Sequence, residues 1–357
     1  MTAINLALDC IKGRHSSGQM LNLFKYFFGK KESVVNWDPI SISIFLTYKC
    51  NLRCDMCLTH STKFKNPFGQ KPCNDVDFGL FKQILDRYKN ALSLSLFGNG
   101  EPLLNEDYFK MIEYASKIMK MDVFSGSNGI LIGEYINEII EAPLKKFNVS
   151  LNGYNSNEYN RMTGNDPKLF DIVSNNIANL VKLKKTKCSK IKITASFILD
   201  QMNYKQLIDM IYFGDSLGLD EIIFFQFLPV PEIGFMAEER CLFLDNQSVL
   251  DVFNKVSSLP AKVRRKVHLP PLLDRAGGNN KYCTVWFYNL SVDGNENVGG
   301  CCCQLLDLCP SGKFSDKNVW NNKYFQEMRK RFIEPGFPLL EPCTWCYNNS
   351  TRKRGWL

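Results

Sequence analysis

Three cysteines lie close together in the segment "YKCNLRCDMCLTHS", where three residues separate Cys50 from Cys54 and two separate Cys54 from Cys57. Structural zinc sites and the cubane clusters of ferredoxins normally take four protein ligands. Three thiols on one short loop would leave one metal coordination position open, and a substrate or cofactor can bind there. The alternative is a structural zinc site completed by a ligand from elsewhere, such as His60 or Cys73.

A second group of cysteines lies near the end of the sequence: Cys283, the run Cys301–Cys303, Cys309, and the pair Cys343 and Cys346. A C-x-x-C pair with two further cysteines upstream is typical of a four-thiolate site, which holds either zinc or an iron–sulfur cluster. We expect the other cysteines outside the first group to be small buried residues or incidental ones. These are Cys10, Cys73, Cys188 and Cys241.

The elements that must position the first group follow a repeating pattern. Between residues 41 and 227, short strand-like runs alternate with helical stretches, which is typical of βα units and a mostly parallel sheet. The first cysteine group directly follows the first strand, so it would lie at the carboxyl ends of the strands, where such folds keep their chemistry. The pattern predicts six strands: Ile42–Thr47, Leu92–Phe97, Met121–Phe124, Lys146–Leu151, Lys190–Leu199 and Glu221–Phe227.

The N-terminal segment "MLNLFKYFFGKK" is amphipathic. Its favoured interpretation is a helix that closes the bottom of the strand array. The alternative is a helix on a membrane surface that presents a lipid substrate. The apolar residues predicted to share one face are Met20, Leu23, Phe24, Phe27 and Phe28.

Composition excludes several classes of protein. Hydrophobic residues make up 45% of the 357 residues, which excludes disorder, and no apolar run approaches the length of a membrane span. The net charge of +8 is spread along the chain, which favours solvated faces over nucleic-acid binding. The start of the sequence has no apolar core of a secretory signal, and clustered cysteines then indicate metal binding in the cytoplasm rather than disulfides.

The spacing Cys50-x3-Cys54-x2-Cys57 after a first strand resembles the radical SAM superfamily. In that family three cysteines hold a 4Fe-4S cluster, and S-adenosylmethionine (SAM) chelates the fourth iron. The resemblance implies a partial (β/α)6 TIM-like barrel of the α/β class. It also places Met56 near the adenine. The segment Asn99-Gly100-Glu101-Pro102 is similar to the family's GGEP motif, which implies that it binds the methionyl amino group of SAM.

Weaker parts of the resemblance supply further SAM contacts. "SGSNG" is similar to the family's polar turn after the third strand, and "VSLNG" to the end of its fourth strand. The end of the sixth strand would reach the adenine. The residues implied are Ser127, Asn128, Ser150, Asn152, Phe227 and Leu228.

The C-terminal region resembles the twitch and SPASM extensions of radical SAM enzymes, which hold auxiliary 4Fe-4S clusters. The resemblance implies a β-hairpin turning at Asp293-Gly294, then a helix, then the closing C-x-x-C pair. Cys302 is the main rival of Cys301 as the second ligand. The implied ligands of a second cluster, expected beside the barrel mouth, are Cys283, Cys301, Cys343 and Cys346.

The resemblance divides the chain into an N-terminal helical extension (1–39), a radical SAM barrel (40–235), a helical linker (236–282) and an auxiliary-cluster domain (283–357). It implies reductive cleavage of SAM to a 5'-deoxyadenosyl radical, which abstracts hydrogen from a small molecule or peptide for oxidation or radical bond formation. An electron donor such as flavodoxin or ferredoxin is then required. A lipid-modifying radical SAM enzyme and a non-catalytic cluster or zinc module are the alternatives.

Overall fold

The computed structural model of this protein describes residues 14–57, 59–63, 74–227, 238–274, 283–301, 311–334, 337–340 and 343. Its core is one sheet of nine strands. The strands are β1 (Ser41–Phe45), β2 (Ser93–Phe97), β3 (Asp122–Ser127), β4 (Lys146–Ser150), β5 (Lys192–Leu199), β6 (Glu221–Gln226), β7 (Val267–His268), β8 (Asn289–Asp293) and β9 (Val298–Gly299). All six strands expected from the sequence are present, with ends shifted by at most a few residues.

Helices connect the strands. They are α1 (Ser17–Phe28), α2 (Phe78–Arg87), α3 (Tyr108–Glu113), α4 (Ile136–Glu141), α5 (Ser156–Thr163), α6 (Leu169–Thr186), α7 (Leu207–Ser216), α8 (Gln247–Lys255), α9 (Ala261–Arg264) and α10 (Lys323–Ile333). The apolar stripe of α6 packs into the core as its spacing predicts, since Phe170, Val173, Ile177 and Leu180 are all buried.

The sheet order is β7-β6-β5-β4-β3-β2-β1-β8-β9, and every neighbouring pair from β7 to β8 is parallel. Each helical crossover returns the chain to the end of the sheet at which the previous strand began, so consecutive strands are parallel and lie side by side. Within the described residues β7 and β9 do not pair with each other, and the sheet is a partial barrel. The expected fold class is confirmed.

The alternation of residues along β1 and β2 decides what fills the barrel. "SISIF" and "SLSLF" put fully buried Ile and Leu on the outer face, against the helices, and serines on the inner face. Large branched side chains usually fill the interior of TIM-type barrels. The serines of this chain leave space there instead.

The sequence pattern predicts too few strands, because the sheet continues into the C-terminal region. β8 pairs in parallel with β1 over its whole length, from Ser41 opposite Asn289 to Phe45 opposite Asp293. The predicted hairpin turning after Asp293 is present, since β9 runs antiparallel to β8. The domain boundary at residue 283 stays a prediction, but a single sheet runs across it.

A buried arginine joins the C-terminal helix to the segment before β1. Arg329 on α10 is fully buried and donates hydrogen bonds to the backbone carbonyls of Trp286, Ser33 and Trp320. The indole of Trp320 donates to the carbonyl of Trp37 at 2.8 Å. These bonds fix the position of the C-terminal region on the barrel.

α1 lies at the amino ends of the first strands. Its Gln19 amide donates to the carbonyls of Ala91 and Met119, and Asn22 donates to that of Asn90, each just before β2 or β3. The predicted face of α1 is wrong: Leu23 is buried with these polar residues, whereas Phe24, Phe27 and Phe28 are exposed by 58%, 49% and 76%. Buried Gln and Asn, bonded to strand carbonyls, rotate the helix away from its apolar pattern. No described helix is long and apolar enough to cross a bilayer.

Candidate active site

The loop that follows β1 brings the first three cysteines together. Cys50, Cys54 and Cys57 line a cavity of about 300 Å³ at the carboxyl ends of the strands. A tight turn holds the last two, because the backbone N–H of Cys57 donates to the carbonyl of Cys54 at 2.9 Å. The other side of the cavity is the segment that follows β2, from Gly98 to Gly100.

The three thiols lie around an open cavity, and a cubane, which separates its thiolates, suits that arrangement. Among the described side chains, no group of three or more His, Cys, Asp or Glu converges where one metal ion could sit. Cys73, named above as a possible ligand of a zinc site, lies outside the described residues.

Each of these three sulfurs receives an N–H group. The side-chain amide of Asn165 lies 3.2 Å from the sulfur of Cys54, and that of Asn128 lies 3.8 Å from the sulfur of Cys50. The backbone N–H of His60 donates to the sulfur of Cys57 at 3.3 Å. Such donors stabilise thiolate charge and tune the potential of an iron–sulfur cluster.

Burial opposes ionisation of the cysteines without metal. Burial raises the pKa of Cys54 to about 12, and the nearby thiols of Cys57 and Cys50 add to this shift. Burial likewise raises the pKa of Cys50. The thiols therefore lose their protons when metal binds, as in other thiolate sites.

The loop after α5 clamps the cysteine loop from the side. The backbone N–H of Asp55 donates to the carbonyl of Thr163 at 2.7 Å. Gly164 has φ of +69°, and a Cβ there would lie 2.2 Å from the Asp55 carboxylate. Sequence reasoning missed this loop and Asn165 within it. Their only signal is the short stretch "TGND", which reads as an ordinary helix end.

The segment resembling the GGEP motif packs on the backbone of the cysteine loop. A Cβ on Gly100 would lie 2.3 Å from the carbonyl oxygen of Lys49, so only glycine fits. The N–H of Glu101 donates to the same carbonyl at 2.8 Å. Burial raises the pKa of the Glu101 carboxyl, which accepts the backbone N–H of Asn128 at 2.7 Å. Pro102 follows at the start of a short 3-10 turn.

Two buried side-chain nitrogens around the cysteine cavity have no partner in the described part of the chain. They are Nδ2 of Asn99 and Nε2 of His60, and both residues line the 300 Å³ cavity. The amide of Asn99 is therefore available to whatever fills the cavity.

A second cavity, of about 130 Å³, adjoins the first. Ser127, Asn128 and Ser150 line it together with Cys50 and Phe97. The structure thus brings three of the weaker sequence-predicted residues to the thiols. Asn152 does not line these cavities, and its φ of 55° marks a left-handed turn after β4.

An apolar cluster lies beside the cysteine loop. Phe227 and Met162 are buried in it, and Met56 packs against its edge. The guanidinium of Arg240 lies 4.4 Å from the centre of the Phe227 ring. Met56 and Phe227, both predicted from sequence to meet the adenine, therefore share one surface. Leu228 lies outside the described residues.

The described cysteines of the C-terminal region lie at the opposite end of the barrel. Burial raises the pKa of the Tyr288 phenol, and the charges of Cys283 and Cys301 raise it further. Tyr288 precedes β8, and Asn289 donates to the carbonyl of Gly300 at 3.0 Å. The expected position beside the barrel mouth is therefore wrong, because these thiols lie at the amino ends of the strands. Cys343 packs on the same core, and Cys302, Cys303, Cys309 and Cys346 lie outside the described residues.

Comparison with known families decides what this site is. Residues 44–211 match the radical SAM superfamily. This stretch of the chain is a radical SAM domain. The matched stretch contains the three-cysteine loop, the glycine segment after β2 and the clamping loop after α5, so SAM and one 4Fe-4S cluster are the cofactors of this site.

Curated relatives of this radical SAM enzyme include GTP 3',8-cyclases. The one from Clostridium perfringens is 25% identical over 300 residues, covering 81% of this chain and 83% of the relative. The one from Clostridium acetobutylicum is 26% identical over 198 residues, covering 55% of this chain and 58% of the relative. The chain thus spans less than two thirds of the latter.

Solved structures share the fold. Streptococcus suis SuiB bound to its precursor peptide SuiA superposes with a TM-score of 0.64 at 15% identity, covering 93% of this chain and 73% of SuiB. The anSMEcpe enzyme with bound AdoMet superposes with a TM-score of 0.64 at 18% identity, covering 87% and 88%. At these identities the likeness concerns the fold alone.

Proposed function

We propose that this radical SAM enzyme oxidises its substrate, or forms a radical bond within it, with help from a second iron–sulfur cluster. The substrate is a small molecule or a peptide. The observation that carries the first site is the set of three N–H-bonded thiols around one cavity. When bound, the cluster and SAM together supply a 5'-deoxyadenosyl radical that takes hydrogen from the substrate.

The chain's own residues bind and orient these cofactors. Cys50, Cys54 and Cys57 would hold the cluster. The segment from Asn99 to Pro102 would offer backbone groups to the methionyl amino group, and Glu101 fixes that segment to the turn after β3. The orphan amide of Asn99 is placed to donate to the cluster or to the SAM carboxylate, since it faces the shared cavity.

The remaining SAM contacts follow the cavity walls. Ser150 would meet the ribose or carboxylate from the end of β4, and Ser127 and Asn128 line the same space. Met56 and Phe227 would pack on the adenine, with Arg240 holding the Phe227 ring in place. Leu228 and Asn152 stay predictions from the resemblance.

The test of the first site uses anaerobically reconstituted protein with dithionite and SAM. We expect 5'-deoxyadenosine from the parent and none from a variant with Cys50, Cys54 and Cys57 all changed to Ala. A triple variant that makes 5'-deoxyadenosine at the parent rate would refute the ligand assignment. A parent that makes none would favour the non-catalytic cluster module.

The second cluster rests on Cys283, Cys301, Cys343 and Cys346. Support comes from Cys283 and Cys301, which pack on the same core and are separated in sequence by the β8–β9 hairpin. The reconstituted protein should contain about eight irons, four for each cubane. Metal analysis that gives about four irons and one zinc would remove the second cluster and leave the first intact.

A second cluster accounts for an oxidative outcome. A substrate radical left by hydrogen abstraction can lose one more electron, and the second cluster would accept it. Each product should then consume one SAM, with methionine and 5'-deoxyadenosine in equal amounts, and a carrier such as flavodoxin or ferredoxin would supply electrons in the reducing cytoplasm. An isomeric product with SAM regenerated would exclude this outcome.

A lipid-modifying function is the second candidate, and the exposed aromatic face of α1 favours it. The ring centres of Phe24 and Phe28 are 4.6 Å apart with the planes tilted by 36°, and both residues are largely exposed. Lys25 is exposed on the same helix, and Lys30 follows its end. Exposed aromatic and basic residues close together suit an anionic lipid surface. Sedimentation with phosphatidylcholine–phosphatidylglycerol vesicles should be lost in a Phe24→Ser, Phe28→Ser double variant. It should persist after Ile118→Ser, which changes an equally exposed residue elsewhere.

A further inference from the structure

The barrel contains a large, partly open cavity between its two cysteine groups. It has a volume of about 530 Å³ and lies toward the amino ends of the strands. Leu23 and Phe27 of α1 form its floor, and Phe97, Phe124 and Tyr288 form much of its wall. A volume in this range is ordinary for a small-molecule site.

Small inner residues keep this cavity open. Ser41, Ser93 and Ser95 line it, where other barrels carry branched apolar side chains. The neighbouring outward residues of the same strands, such as Ile42 and Leu94, are fully buried against the helices. The sequence therefore packs the outer layer tightly and leaves the interior unfilled.

The cavity connects the SAM site to the second cysteine group. Phe97 lines both this cavity and the 130 Å³ cavity beside Cys50, and its side chain is 41% exposed. At the other end Tyr288 lines the cavity, and Cys283 and Cys301 pack against the same core as Tyr288. Ser93 precedes Phe97 by four residues, which is a depth of about 13 Å along a strand.

The lining favours an uncharged ligand. Its two carboxylates are each paired with a lysine: Glu221 with Lys146, and Asp122 with Lys145. Burial lowers the pKa of His268, so its ring is neutral near pH 7. The surface that faces the cavity is mainly apolar and aromatic.

We propose that this cavity binds an uncharged apolar chain of the substrate, which makes the substrate an amphiphile rather than an ordinary peptide. The inference rests on the proposed function, because it assumes that the substrate reacts beside the SAM site. An apolar amino-acid side chain is too short to fill a channel of this depth. An alkyl or prenyl chain fills it from Phe97 to the floor made by α1.

The test is calorimetric titration of the reconstituted, SAM-bound protein with straight-chain alcohols from hexanol to dodecanol. Each added methylene should strengthen binding about fourfold, which corresponds to 0.8 kcal/mol, until the chain fills the cavity. The increase should stop beyond that length. Carboxylic acids of equal length should bind more weakly. A series without binding, or acids that bind more tightly than the alcohols, would overturn the proposal.

Variants of the cavity-lining serines test where the alkyl chain of the alcohol binds. Ser95→Leu places three more carbon atoms in the cavity, so the length at which affinity stops rising should become shorter. Ser95→Ala, a matched control, should leave that length unchanged. If Ser95→Leu does not fold by circular dichroism, Ser93→Leu near the floor gives the same expected shortening. An unchanged length in the folded Leu variant would place the alcohols elsewhere and overturn the proposal.

These titrations do not depend on turnover. A parent protein that makes 5'-deoxyadenosine but shows no chain-length limit would refute the cavity proposal and leave the proposed function standing. A parent that shows the limit but makes no 5'-deoxyadenosine would refute the proposed function alone.

Discussion

The hydrogen bond from Asn165 to Cys54 should raise the reduction potential of the first cluster. The Nδ2 to Sγ distance is 3.2 Å, and the partner loop is held by the bond between Asp55 and Thr163. The reduced cluster carries one more negative charge, so an N–H group stabilises it more than the oxidised form. Asn165→Ala removes this donor and should therefore lower the midpoint potential.

The size of the shift follows from the strength of such a bond. A hydrogen bond to a charged group contributes about 1.5–3 kcal/mol. The added electron spreads over the cluster, so we assign about a third of that value, 0.5–1 kcal/mol, to the difference between oxidation states. At about 59 mV for each 1.36 kcal/mol in a one-electron couple, the shift is about 20–45 mV to lower potential.

The measurement is a redox titration followed by the SAM-sensitive signal of the reduced cluster in electron paramagnetic resonance. Asn128→Ala should shift the potential less, because its amide is 3.8 Å from Cys50. Asn160→Ala is the control: among the described residues its side-chain amide donates to the backbone carbonyl of Asn165, at 2.9 Å, and to no cysteine sulfur. If the Asn165→Ala variant with full iron content had the same midpoint potential as the parent, the reasoning would be refuted. An equal shift in Asn160→Ala would assign the effect to loop position.

Two further changes test the frame of the site. Gly100→Ala should lower the rate of 5'-deoxyadenosine formation about a hundredfold, because the new Cβ would displace the Lys49 carbonyl and the cysteine loop with it. A variant that forms 5'-deoxyadenosine at the parent rate would contradict the close approach of Gly100 to Lys49. Arg329→Met should lower the free energy of unfolding in urea by about 3 kcal/mol, because it leaves buried carbonyls without donors. The exposed neighbour Lys323→Met should change it by at most about 0.5 kcal/mol, and an equal loss in both would exclude the buried bonds as the cause.

Local patterns predict the position of the three-cysteine loop. The spacing of Cys50, Cys54 and Cys57 predicts a cluster site, and the strand before them fixes their place at the carboxyl end of the sheet. The alternation in "SISIF" and "SLSLF" likewise assigns each residue to the core or to the barrel interior. These signals lie within one element, where periodicity of two or of 3.6 is enough.

Contacts between distant segments do not leave such signals. Asn165 reaches Cys54 only because α5 ends in a left-handed Gly164 that turns the chain back over the cysteine loop. The face of α1 was predicted wrongly for a related reason: Gln19 and Asn22 look like surface residues until strand carbonyls supply their partners. For Asn165 as for Gln19 and Asn22, the role of the side chain depends on a hydrogen-bond partner that is distant in sequence.

The pairing of β8 with β1 has a consequence for the chemistry. The two strands are parallel and in register, so the loop bearing Cys50 leaves one end of the pair while Tyr288, beside Cys283 and Cys301, enters the other. Five residues of strand separate these ends by about 17 Å. The open cavity lies alongside this length and touches Phe97 at one end and Tyr288 at the other. A substrate held there would lie between the SAM site and the second thiol group. If the proposed second cluster is bound there, this arrangement suits loss of an electron from the substrate better than return of a hydrogen atom, because the electron acceptor and the hydrogen-abstracting group would be on opposite sides of the same molecule.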